Sequence, residues 1–579
     1  MFGTQEPLKI GKNLSLKRNF VVSLVIIILF SFYFPYKVAL APPTMQKEKL
    51  VIDKEPIGWG KNYIIFSCKK NEIPSTLYKI TLREEFKIER LSYRINYFEN
   101  LLTEIAVKAI ITGNRNKKLS LEVWFRLLEN EDLFIFLKFK NEGDDLKNFE
   151  YTVSVKTDKL NEFEELNVYR FSYHGSKDKN VKIVKTTSLN FPGETVYLKV
   201  SDRERTKLTL FKGLLFQLRD MGYGLQERVI TPSNISINPN VTDSELQISN
   251  YIKFGKGNFS EDWYLFSEKG FLNINSAVTQ KFMEVTDFSL KKKYFENGFY
   301  YLTENNTGYR NENKNTYYLD YSMYAPRSLL EFYFTSYETF IYDIVINSFF
   351  ALHKSRNKYG FWFSSTESIW LKSEYNIGSN YFDTRFSVEA AIFAAWVYKK
   401  LNIKEALNLS SRVGDLILSY IKEGNGIRTK NNGFLLCDYI VPENKLLKTH
   451  SSLNHILNEI YFLLLLYDLT ENSSYKDASI KLINGISYFG NSWINSENGD
   501  LYYCRRATGK FERRDYTTLT YYDLIKVNKI TKKVLEKEFE IIKKLGKSKE
   551  LFLLRKGVIK VKRFTLEKEE EYVKREKSK

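Results

Sequence analysis

Residues 499–506 read GDLYYCRR, and residues 511–524 read FERRDYTTLTYYDL. Phenols, guanidiniums and carboxylates therefore crowd into about 25 residues. A tyrosine ionises near ~10 in water, so it serves as a base near neutrality only beside positive charge. Tyr502 with Arg505, and Tyr516 with Arg513, offer that pairing. The arginine fork also matches a carboxylate. Such a set supports proton transfer on an anionic substrate. Against it stands a plain surface hairpin in a chain with 40 tyrosines.

What would position these groups is a repeat. NKYGFWFSS (357–365), KNNGFLLCDY (430–439) and SENGDLYYCR (496–505) each set a polar, glycine-bearing turn before a short apolar strand. Between them lie roughly two helices each time, with helical apolar periods in stretches such as RFSVEAAIFAAWVYKKL and THSSLNHILNEIYFLLLLYDL. Stacked helical hairpins gather their loops on one face, and their natural closed form is an α/α toroid. Three ordinary turns in a helical bundle is the competing reading. Aligned on Gly360, Gly433 and Gly499, the repeats bring Asp438 and Tyr439 beside Cys504 and Arg505. LYYCRR then turns at ATGK, with Gly509 in the turn, and returns as FERRDY, so Tyr502, Arg505, Arg513, Asp515 and Tyr516 approach the same loop-rich end. Gly424 and Gly426 suit the end of a third helix, and Ser451 or Ser452 suits the start of a fourth.

Upstream the period is that of strands. LEVWFRLLENEDLFIFLKFKN (121–141) reads as two strands around an ENED turn, and ETVYLKVSDRERTKLTLFKG (194–213) repeats the pattern. The resulting division is a β-rich, sandwich-like domain over 56–320, the toroid over 325–530 and a basic tail over 531–579. The tail reads as a solvated, partly helical segment. Residues 1–18 form an N-terminal stretch, 19–36 an apolar run ending in aromatics, and 37–55 a linker. Lys17 and Arg18 before that run favour a single-pass signal anchor with a cytoplasmic N-terminus and an extracytoplasmic body. A signal peptide cleaved after Ala39-Leu40-Ala41 is the alternative, opposed by Pro42.

Composition narrows the classes further. Cys68, Cys437 and Cys504 cannot build a disulfide framework, and four histidines without metal spacing make a His/Cys metal site a poor expectation. His450 and His455, five apart, are expected on different sides of a helix. The net charge of +19 owes +10 to residues 526–579, where 19 basic residues face 9 acidic ones. The body is only mildly basic, and no nucleic-acid partner is expected.

At THSSLNHILNEIYFLLLLYDL, the glycine-led LYYCR and ERRDYTT, the chain resembles the C-terminal domain of D-glucuronyl C5-epimerases. The resemblance covers about 325–525 and rests on a tyrosine-containing acidic loop, a Leu-Asn helix ending in Leu-Tyr-Asp, a Tyr-x-x-Arg strand and an Arg-x-Asp-Tyr-x-Thr turn. It implies an isomerase acting on uronic acids of an acidic polysaccharide, with Tyr439, Tyr502 and Tyr516 catalytic. Arg505 and Arg513, joined by Asp438 and Asp515, are the expected substrate-binding residues. Epimerisation removes the carbon-5 proton and returns it to the opposite face, which needs an acid and a base but no metal or organic cofactor. The expected partners are the polymer, the membrane through the N-terminal helix, and a second copy in a homodimer.

The departures are specific. The spacing from Leu457-Asn458 to Tyr467-Asp468 is one residue short, Glu459 stands where a small residue is usual, and NIGSNYFDTRFSVEAA replaces a glycine-tryptophan stretch. A lyase using the same site, and a non-catalytic carbohydrate-binding envelope protein, therefore stay open. A hydrolase would have only Asp438 and Asp515 as its carboxylate pair. Tyr503, Tyr521 and Tyr522 are expected to pack, as are Trp263, Trp362 and Trp370, for which stacking on sugars is the alternative.

Overall fold

The computed structural model describes residues 51–157 apart from 71 and 72, strand segments from Leu166 to Leu319, and residues 324–560 with short gaps. The apolar run at 19–36 lies outside the described residues; among those described, no helix is long and apolar enough to cross a membrane. The chain is a mixed α and β fold. Strands occupy the first part, and nine α-helices occupy the second among the described residues.

Eight strands open the chain: β1 (Val51–Trp59), β2 (Tyr63–Lys70), β3 (Ile73–Leu82), β4 (Phe86–Phe98), β5 (Leu102–Gly113), β6 (Lys117–Leu128), β7 (Leu133–Asn141) and β8 (Leu146–Thr157). β1, β2, β3 and β8 join Glu245–Phe254 and Ile235–Thr242 in one antiparallel sheet. β4 to β7 run into Phe259–Phe266 and Leu208–Gly222 in a larger sheet. β6 and β7 meet around the ENED turn, where Glu131 takes a left-handed φ of 76°. Leu121, Val123 and Phe125 point into the core between the two sheets, with Phe66, Ile80 and Val153.

The second half of β6 and most of β7 are buried on both faces, which explains their unbroken apolar runs. What covers the outer face is helical. Label the helices α1 (Tyr324–Ser336), α2 (Thr339–Ser355), α3 (Ile369–Tyr375), α4 (Thr384–Leu401), α5 (Lys404–Glu423), α6 (Leu453–Thr470), α7 (Ser473–Phe489), α8 (Leu519–Leu535) and α9 (Glu540–Arg555). Trp124, Leu128, Phe134 and Phe136 share one apolar cluster with Phe340, Ile344, Phe349 and Phe350 of α2. Arg126 is fully buried in this seam, 2.8 Å from Glu104 and bonded to Asn347 at 2.7 Å. Lys354 of α2 reaches the same Glu104 at 2.6 Å. A charge buried this deeply is tolerable because each of its partners is in place.

The helices pair as α1/α2, α4/α5, α6/α7 and α8/α9, with α4, α6 and α8 packed side by side. α4 and α6 are buried along almost their whole length, whereas α5 and α7 each keep a solvent face. A polar string links α1, α4 and α8: Arg327 lies 2.6 Å from Glu389, Arg385 3.2 Å from Glu389 and 2.6 Å from Asp523. Gly424 ends α5 in the expected left-handed conformation, φ 82°. Gly433 has no room for a Cβ, which would stand 2.3 Å from the Gly485 amide nitrogen of α7.

The helical layer does not stop at 530. Residues 540–555 form a packed helix rather than a solvated tail, because Ile542, Leu545, Phe552 and Leu553 are buried on one face and Lys549 is buried between Asp500 and Asp515.

Candidate active site

Four segments meet at Asp438. Tyr439 pairs in register with Asp383, which caps α4 by accepting from the amides of Arg385 and Phe386. The Asp438 carbonyl accepts from Thr384 N, and its amide donates to the His450 carbonyl, each at 3.0 Å. Beyond His450 the extended pair Ser451–Ser452 takes Arg505 and Cys504 as its register partners. The loop, the α4 cap, the entry to α6 and the 502–505 strand are thereby held around one side chain.

The Asp438 carboxylate is fully buried. Oδ1 accepts from Ser452 N at 2.7 Å. Oδ2 lies 3.1 Å from His450 Nε2 and 3.7 Å from His455 Nε2. Burial alone would raise its pKa, but the two histidines and Ser452 outweigh that and hold it below the ordinary carboxylate value. The two histidines share one carboxylate instead of facing apart: His450 precedes α6 in extended backbone, so helical spacing does not apply to it. Burial drives His455 down to about 4, against the pull of Asp438, and its Nδ1 lies 2.9 Å from the Thr384 hydroxyl. Below lie Asp383, pushed by burial to about 7, and Glu459, pushed by burial to about 8. Thr384 and Arg385 pull Glu459 the other way.

α3 brings in groups that the sequence reading left out. Its last residue, Tyr375, has its hydroxyl 2.9 Å from His450 Nδ1. The same oxygen accepts from Arg506 Nη1 at 2.9 Å and from the His450 amide at 3.2 Å. Trp370 sets its ring 5.3 Å from His450 and 5.6 Å from Tyr439. Arg513 lies over Trp370 at 4.9 Å and pairs with Glu374, which also holds Arg506 at 2.8 Å. Arg513 reaches there from a left-handed backbone position, φ 66°, that re-aims its side chain within the Phe511–Arg514 strand.

The phenols enclose this pair. Tyr439 stands 5.7 Å from the rings of both His450 and His455, and Tyr503 stands 5.7 Å from His450. Tyr516 packs edge-on against Tyr503 at 5.6 Å. Burial pushes Tyr439 and Tyr503 well above the usual phenol value, and Tyr503 and Tyr516 respectively add to it, so both keep their protons. Tyr516 is 52% exposed, yet protein crowds its hydroxyl and raises it, with Arg385 pulling the other way. A half-open phenol over buried, proton-bearing groups is the wall of a site.

Not every expected residue joins. Tyr439, Tyr516, Arg513 and Asp438 belong to the cluster. The hairpin itself forms as expected, with Tyr502 opposite Arg514 and Gly509 at φ 100° in the turn. Tyr502, however, lies toward Phe511, 6.5 Å away, and Arg505 stacks on Phe489 at 4.3 Å. The Tyr-x-x-Arg spacing occurs twice in overlapping register, and the copy that reaches the cluster is Tyr503 with Arg506. Asp515 faces α9, 2.8 Å from Lys549 and bonded to the Thr520 hydroxyl at 2.6 Å. Tyr503 and Trp370 line the site as well as packing, whereas Trp263 and Trp362 are core. Arg506 was legible from the doubled spacing and His450 from the motif around α6; Tyr375 carried no sequence signal.

Buried carboxyls, imidazoles and phenols thus gather beneath a rim that carries Arg506 and Arg513. No protein-family model matches the chain, and no curated protein matches it. Among solved structures, the GH76 α-mannanase of Bacteroides thetaiotaomicron is similar at 12% identity and TM-score 0.29, over 41% of this chain and 56% of that one. A novel α-amylase from Clostridium perfringens gives 15% and 0.32, over 47% and 70%. Cellobiose 2-epimerase from Bacillus thermoamylovorans gives 12% and 0.31, over 42% and 61%. This chain covers less than two thirds of the mannanase and of the 2-epimerase. Likenesses this weak assign neither fold nor activity.

Proposed function

We propose that the protein is a carbohydrate-modifying enzyme of the uronate C5-epimerase kind, held at a membrane by residues 19–36 with its body extracytoplasmic. The four helical hairpins are read as its α/α toroid. The observation that carries the reading is the convergence of Tyr439, Tyr503 and Tyr516, from separate segments, on the buried Asp438–His450 pair beside Arg506 and Arg513. A uronate entering along Trp370 would place its carboxylate at the two guanidiniums, whose five N–H donors each exceed what Glu374 can use. Charge developing on that carboxylate as the carbon-5 proton leaves is then stabilised by donors already in place. Phenols on opposite sides of the ring take and return the proton.

The test is incubation of the chain with uronate polymers in deuterated water. Epimerisation predicts deuterium at carbon 5 and inverted residues without chain cleavage. An unsaturated, ultraviolet-absorbing end would mark a lyase instead. Binding with no deuterium incorporation into any uronate polymer would overturn the enzymatic reading.

A further inference from the structure

The hydrogen bonds at Tyr375 determine where its own proton lies. Its oxygen already accepts two, from Arg506 Nη1 at 2.9 Å and from the His450 amide at 3.2 Å. The third neighbour, His450 Nδ1 at 2.9 Å, must therefore accept the phenolic proton. That requires the tautomer with hydrogen on Nε2, and Nε2 faces Asp438 Oδ2 at 3.1 Å. Asp438 is in turn fixed by the Ser452 amide at 2.7 Å. A carboxylate, an imidazole and a hydroxyl thus adjoin in turn, the first two by a close charge contact that is not an aligned hydrogen bond, with a guanidinium and an amide on the hydroxyl oxygen. Tyr375 is partly exposed, whereas His450 and Asp438 are sealed beneath it.

We propose that Tyr375 is a proton-transfer residue of this site, and that His450 and Asp438 are its positioning residues. The inference rests on the epimerase reading above and adds to it a base that the family resemblance does not mark. The uronate carboxylate draws the Arg506 guanidinium off the Tyr375 oxygen and frees one lone pair; as the carbon-5 C–H bond breaks, its proton goes to that lone pair while the phenolic proton passes to His450 Nδ1. The electron pair left on the sugar spreads into the carboxylate. Asp438 stabilises the imidazolium, the His450 amide stabilises the phenolate character on the way, and Arg506 holds the charge growing on the uronate carboxylate. A phenol on the other face supplies the new carbon-5 hydrogen, and solvent returns the His450 proton to it. Tyr375 itself sits above the usual phenol value because of its burial, against the pull of Arg506 and the amide. A hydroxyl that holds its proton in the resting state needs a base behind it, as a serine nucleophile does.

Two measurements decide this, one of them independent of turnover. With only four histidines, nitrogen-15 histidine labelling resolves His450 once His450→Gln has assigned it. The relay predicts a protonated Nε2 and an accepting Nδ1 whose resonance moves in Tyr375→Phe; a protonated Nδ1 in the parent overturns it. The second is deuterium wash-in at carbon 5 of a polyglucuronate. Tyr375→Phe should lose roughly 10²-fold or more in kcat with KM within about threefold, as for loss of a positioned base. His450→Gln should fall similarly and recover in part with added imidazole, which a merely structural histidine would not do. Tyr375→Phe retaining more than about a third of parental exchange while Tyr516→Phe abolishes it would overturn the relay and leave the epimerase reading standing. A parent inactive on every uronate polymer overturns the epimerase reading, and with it the role of Tyr375.

Discussion

Asp438 and Asp515 are both buried carboxylates held against the 502–514 hairpin, and their surroundings push them in opposite directions. Burial would raise Asp438, but His455, His450 and Ser452 bring it below its ordinary value. Burial raises Asp515 to about 6 in spite of Lys549, which it shares with Asp500. One is surrounded by imidazoles and phenols that can change protonation. The other is tied to a lysine that joins the hairpin to α9. The lesson is that burial alone does not mark a chemical role; the nature of the partner does.

If the Asp515 end is a clamp, Lys549→Ala should have the largest effect on stability. It leaves two carboxylates buried beside an empty place, a change that costs about 3–5 kcal/mol. Urea unfolding checks this; a loss under about 1 kcal/mol alongside collapsed exchange would move Asp515 into the site. At the other end Asp438→Asn should spare the fold far more than the chemistry. Exchange should drop roughly 10²-fold, because the imidazolium that forms on His450 loses its counter-charge. Equal losses in stability and activity would erase the distinction between the two ends.

A smaller effect concerns pH. Glu459 is raised to about 8 in the folded chain from 4.5, so between those values the folded state keeps a proton that the unfolded state has released. Its contribution to stability therefore falls as pH rises through that window, by up to about 1.4 kcal/mol per unit. Glu459→Gln should lose less stability than the parent between about pH 5 and pH 7. His455, lowered to about 4 by burial, acts in the opposite sense as pH falls below its ordinary value and is common to both proteins. Parallel pH profiles would place the Glu459 carboxyl in contact with solvent. The smallest effect expected is that of Arg505→Ala, within about threefold of parental exchange, because its guanidinium stacks on Phe489. Arg506→Ala should cost tenfold or more, as for a charged hydrogen bond made to the reacting groups.

Much of the scaffold was legible. The switch from strand to helical period marks the passage from Leu319 to Tyr324, and the ENED turn, the Gly509 hairpin and the Gly424 cap lie where the residues put them. Aligning the repeats put Asp438 and Tyr439 beside Cys504 and Arg505, whereas those two pair with Ser452 and Ser451, and Tyr439 pairs with Asp383. What escaped depends on register and on long-range packing. Which Tyr-x-x-Arg copy faces the cluster depends on the pairing of Ser451 and Ser452 with Arg505 and Cys504, and no local pattern states it. Tyr375 enters from a seven-residue helix whose position depends on contacts with residues 75 and 131 positions away. His450 was misplaced because helical spacing was applied to a residue that lies before the Ser452 cap.

The central claim is that this cluster moves a carbon-bound proton, and Tyr516→Phe tests it most directly. The variant deletes one oxygen from a half-exposed ring, so it should unfold within about a kcal/mol of the parent. Deuterium wash-in at carbon 5 of a polyglucuronate that the parent accepts should then fall roughly 10²-fold or more. A folded Tyr516→Phe protein that exchanges at near the parental rate would contradict the account.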